Sequence, residues 1–118
     1  MAPRPLVHLL GLCNVLAGAL LVLAPSSAVP LAGATSPAAR VFAGSAAAML
    51  LSVAVAGWLL PATATRTYLW IFGVGVKVAG AVTWSAAAGF TGVPGLWAGA
   101  LFDLAVAVAI GVGLRRGE

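Results

Sequence analysis

Residues 66–116, RTYLWIFGVGVKVAGAVTWSAAAGFTGVPGLWAGALFDLAVAVAIGVGLRR, decide the fold. They read as two apolar helices joined by a short glycine- and proline-containing loop. Each helix carries one charge near its middle, Lys77 in the first and Asp103 in the second. A charge at the centre of a bilayer costs ~2.5–3.5 kcal/mol even on the most lenient insertion scales, unless it is paired or hydrated. The two residues therefore have to be explained together.

The rest of the chain is of the same kind. Of 118 residues, 63% are hydrophobic and 7% charged, where a soluble domain carries roughly 25% charged residues. So few charges cannot cover a water-facing surface. Several runs reach the ~20 apolar residues that cross a hydrocarbon core. The expectation is an all-α, four-helix transmembrane bundle forming one domain over 1–118, with spans at about 5–24, 38–60, 66–88 and 96–114. A signal peptide is the rival reading of the first run, because Ser26-Ser27-Ala28 resembles a cleavage site. The run is longer than the 7–15 residues of a signal core, and a retained helix is favoured. Between the first two spans, Pro25, Pro30 and Pro37 prevent a continuous helix, and Pro37 suits a helix start. Pro61 opens a tight loop over Pro61–Thr65, and Pro94 breaks the chain before the last span.

Basic residues set the orientation. Arg4, Arg66, Arg115 and Arg116 fall on one side of the four spans, and Arg40 falls towards the other. The positive-inside tendency then puts both termini in the cytoplasm. Trp58, Tyr68 and Trp70 near one interface, with Trp84, Phe90 and Trp97 near the other, read as an aromatic belt. The net charge of +4 is scattered over span ends, with no basic patch or basic helix, so no nucleic-acid partner is expected.

Rows of small residues four apart stack along one side of a helix, and they let backbones approach closely in lipid. Gly11, Asn14 and Gly18 share a face of the first span. Arg40, Gly44, Ala48, Ser52 and Ala56 form a row in the second, Gly73, Lys77, Ala81 and Ser85 in the third, and Gly99, Asp103, Ala107 and Gly111 in the fourth. These rows are expected to face inward, which brings Asn14, Lys77 and Asp103 together near the midplane. Lys77 and Asp103 each lie eleven residues from their inner span ends, about 16 Å at 1.5 Å per residue.

Two readings of the pair stay open. It is an architectural ion pair that fixes helix register, or it belongs to a ligand, ion or proton pathway with Asn14 and Arg40. Arg40 either snorkels to the interface or turns inward. Turned inward, it would leave a surplus positive charge suited to an anionic or lipidic ligand. His8 reads as an interfacial structural histidine, and Asn14 as an interhelical hydrogen bonder. Cys13 is the single cysteine, so no disulfide or cysteine-based metal cluster forms within the chain. Gly73-Val74-Gly75 lacks the strand context of a nucleotide motif. No triad, paired carboxylates or phosphate loop is present, so no catalytic residue, metal or cofactor is expected, and the chain is read as a non-enzyme.

Asn14 and Gly18 in the first span, Pro25 after it, Ala39-Arg40-Val41 with Gly44 opening the second, and Lys77 in the third resemble small four-helix bacterial inner-membrane proteins, the DoxX-like family among them. The resemblance covers most of the chain and rests on residues that report helix packing. It implies a four-helix bundle in a bacterial plasma membrane and assigns no site residue. The chain departs from the pattern in lacking a lysine or arginine motif in the first span. The functional expectation is a binding or structural module in the bilayer, within a homo-oligomer or a larger membrane complex. The alternative is an oligomeric transporter or channel for a small ion, a proton or an anionic or lipidic solute.

Overall fold

The computed structural model describes residues 4–23, 37–92 and 94–117. Every regular element among them is a helix. Helix α1 is Arg4–Leu23 and α2 is Pro37–Leu59. Helix α3 runs without a break through Ala62–Thr91, and α4 is Gly95–Arg116. Three of the four, α1, α3 and α4, are long and apolar enough to cross a membrane, and α2 contributes a shorter apolar stretch, Ala43–Leu59. Pro37 opens α2, as its fixed φ favours. The rest of the proline-rich connection, 24–36, lies outside the described residues.

The loops are tighter than the sequence suggests. Helix α3 begins at Ala62, not near Arg66, so residues 62–65 are helical rather than loop. Leu60 N–H still bonds back to Ala56 O at 2.9 Å, and Ala64 N–H already bonds to Pro61 O at 3.0 Å. The Thr65 hydroxyl adds a bond to the same Pro61 carbonyl at 3.3 Å. At the other end, α3 stops where Gly92 takes φ 70°, with its N–H on Ala88 O at 2.9 Å. That left-handed stop is cheap only for glycine. Pro94 then caps the start of α4.

The middle of α3 is not α-helical. Leu69–Gly75 winds as a π-helix, and Val76 N–H reaches back five residues to Ile71 O. The buried residues of α3 explain what this does. Thr65, Leu69, Gly73, Lys77 and Ala81 are buried at a strict spacing of four. At ~100° per residue, four residues overshoot a full turn by about 40°, so a pure α-helix would carry Ala81 about 160° away from Thr65. Wider i→i+5 turns wind less per residue and offset much of that drift. One face of α3 therefore stays inward along its whole length.

Helix α1 packs along α2, and the second half of α3 packs along α4. A cluster of Val7 and Leu10 from α1, Tyr68 and Leu69 from α3, and Val106, Ile110 and Leu114 from α4 joins the two hairpins. Glycines set the close approaches. Gly73 accommodates the Ile110 side chain, Gly113 accommodates Leu6, and Gly18 lies against the Ala47 backbone. The outside is apolar. Leu12, Leu16, Met49, Leu59 and Leu101 are all exposed, and Phe90 is 93% exposed. This inverts the surface of a soluble domain and suits lipid.

Several sequence expectations change here. The row Arg40, Gly44, Ala48, Ser52, Ala56 is exposed and faces away from the other described helices, and a Cβ on Gly44 would meet no described atom within 4 Å. Helix α2 instead turns Ala47, Ala54 and Gly57 inward. Tyr68 is no belt residue: it is 4% exposed, its hydroxyl donates to Val53 O at 2.5 Å, and its ring occupies the space that Gly57 leaves. Trp58 packs its indole on Gly11 and donates from Nε1 to His8 Nδ1 at 3.1 Å.

Candidate functional site

The buried charges lie where α3 and α4 run side by side. Lys77 sits two residues past the π-helical segment and is 4% exposed. Asp103 lies near the middle of α4, with its side chain 14% exposed. Lys77 Nζ donates to Asp103 Oδ1 across 3.5 Å. The bridge joins two largely buried side chains on facing helices.

The pair is flanked by glycines and a tryptophan. A Cβ on Gly80 would collide with Asp103 Oδ2, so Gly80 is what allows the carboxylate to lie against α3. Trp84 lies one turn beyond Gly80 on the same helix. Its indole rests over Gly99, one turn before Asp103. Asp103 thus receives the Lys77 ammonium and lies against Gly80, both on α3. Sequence reasoning missed Gly80 and Trp84 as site residues. The signal was present in the spacing, since Gly80 and Trp84 are four apart and flank the row of Lys77 and Ala81.

The other expected residues divide. Asn14 is 2% exposed, and its Oδ1 is buried with no hydrogen-bond partner among the described residues. Its neighbour Cys13 packs on the apolar cluster. Arg40 is exposed at the start of α2; an exposed guanidinium fits the snorkelling alternative. Of the packing residues, Gly11, Gly18, Gly73, Ala81 and Ala107 are buried, Gly99 and Gly111 are half-buried, and Gly44 and Ala48 are exposed.

The end of the bundle that carries Arg66, Arg115 and Arg116 has its own polar link. Arg66 Nη1 donates to Leu114 O at 3.4 Å. That carbonyl belongs to the last turn of α4, where no intrahelical donor remains. Arg115 and Arg116 lie in the same last turn, where cations suit the helix dipole.

Chemically, these residues offer one ammonium, one carboxylate and one amide. It can hold two helices in register or bind a small polar guest. Among the described residues no group of three His, Cys, Asp or Glu side chains is placed to hold a metal ion. No family model, no characterised protein and no solved structure matches the chain.

Proposed function

We propose that this chain is a four-helix transmembrane bundle with both termini cytoplasmic, serving in a bacterial plasma membrane as a small binding or structural module within an oligomer or a larger complex. The observation that carries the reading is the Lys77–Asp103 pair, two opposite charges facing one another inside a largely apolar set of helices. Breaking such a pair from one side costs ~3–5 kcal/mol, because the remaining charge is stranded. A pair of that kind fixes α3 against α4 and specifies their register. The four arginines at one end support the orientation, and the exposed row on α2 supports contact with another helix.

Native mass spectrometry after mild extraction from the source membrane tests this. Whole multiples of the chain mass, or co-release with a larger subunit, support the module. A bare monomer under every mild condition argues against it.

A second reading, transport of a small ion, proton or anionic or lipidic solute, is favoured by the buried oxygen of Asn14, which has no partner among the described residues. Flux in vesicles that vanishes in a stable Lys77→Met variant would establish this reading over the structural one.

A further inference from the structure

We infer that the polar layer is a hydration site, in which a water molecule bridges Asn14 Oδ1 and the Lys77 ammonium beside Asp103. The inference rests on the transmembrane reading above and deepens it by naming what the layer holds.

Placement comes first. Asn14 is one turn beyond Leu10, Lys77 is one turn beyond Gly73, and Asp103 is one turn before Val106 and Ala107. Leu10, Val106 and Ile110 belong to one buried cluster, and Gly73 lies directly against Ile110. The three polar residues therefore form the next layer on the same cluster, each on its own helix.

The unused hydrogen-bonding capacity then identifies the guest. Lys77 has three N–H donors, and among the described residues its one side-chain partner is Asp103, at 3.5 Å. Asn14 presents an acceptor without a donor among the described residues, fully shielded from outside. A buried acceptor left unmade carries the whole desolvation penalty of the group, so native interiors fill such positions with protein or water. An anion would face the Asn14 lone pairs, and a cation would face the Lys77 ammonium. The ion pair itself is neutral. What fits is a neutral molecule that donates to Asn14 and accepts from Lys77, and water does both. The bridge gives Lys77 a second oxygen partner, which a single long ion pair does not supply.

The test uses the full chain, isotopically labelled, in lipid vesicles, with solid-state NMR edited by magnetisation transfer from water. The expected result is early transfer to Lys77 Nζ and to the Asn14 side-chain amide, at a rate close to that of the exposed Arg115 and Arg116. Leu10 and Ile110 methyls should lag far behind. In Asn14→Leu, the transfer to Lys77 should fall towards that of Ile110 while the Lys77–Asp103 contact persists. Transfer to Lys77 and Asn14 as slow as to Ile110 in the unaltered protein would overturn the hydration site and leave the dry bundle standing. Early transfer to Leu10 and Ile110 as well would overturn the dry bundle, and the localised site with it.

Discussion

A methyl group added at Gly80 should act on the ion pair as a wedge. Built on the backbone of Gly80, a Cβ falls on Asp103 Oδ2 and approaches Asp103 Cγ to 3.3 Å. The carboxylate, which meets Lys77 at 3.5 Å, has to retreat. A retreat of about 1 Å weakens the pair by roughly 1 kcal/mol at an effective dielectric of ~20. Opposing this, Gly→Ala in a helix gains up to ~1 kcal/mol of backbone propensity. Gly89 measures that gain alone, because it lies on the same helix and a Cβ there meets no described atom within 4 Å. Gly80→Ala should therefore be about 1 kcal/mol or more worse than Gly89→Ala, measured by reversible unfolding in mixed micelles. In an Asp103→Ala background the wedge has nothing to strike, and Gly80→Ala should become as favourable as Gly89→Ala. Equal effects of the two alanines in the unaltered protein would refute this reasoning, and so would a Gly80 penalty that survives removal of Asp103.

Three other expectations are independent of the pair. Gly57→Ala should destabilise by ~1–3 kcal/mol, the usual range for overpacking, since its Cβ would meet Tyr68 Oη, Cζ and Cε1 at 2.5–2.7 Å, whereas Gly44→Ala on the same helix should be neutral in the same unfolding assay. Tyr68→Phe removes the hydroxyl that donates to Val53 O and should cost ~0.5–1.5 kcal/mol with no change of fold by circular dichroism. Reporter fusions at residue 1 and residue 118 should both report the cytoplasm; opposite signals from the two ends would remove the four-span topology.

Much of the fold could be read in the sequence because prolines and glycines mark its turns. Pro37, Pro61, Gly92 and Pro94 sit at helix ends, and each acts through its own backbone rather than through distant packing. The meeting of Lys77 and Asp103 was equally legible, since a short loop and equal depths leave two buried charges little choice of partner. The direction of α2 was not. Its sequence, PAARVFAGSAAAMLLSVAVAGWL, carries small residues on every side, so spacing by four marks several rows of equal quality, and tertiary contact with α1 decides among them. The π-helical segment has no residue signature of its own. Its trace in the sequence is the persistence of buried positions at a spacing of four from Thr65 to Ala81, which an ideal α-helix cannot keep on one face. Tyr68 was misplaced because a tyrosine near a span end suits an interface as well as a core. Only the gap left by Gly57 across the helix pair distinguishes the two.

The most direct test of the account is a double-mutant cycle on Lys77→Met and Asp103→Leu, measured by unfolding in lipid-containing micelles. Each single change should cost ~3–5 kcal/mol, since each strands a buried charge. The double change should cost far less than the sum, with a coupling of about 2 kcal/mol or more. Costs that add to within ~0.5 kcal/mol would show two charges that do not depend on one another, and the pair would then not be what holds α3 to α4.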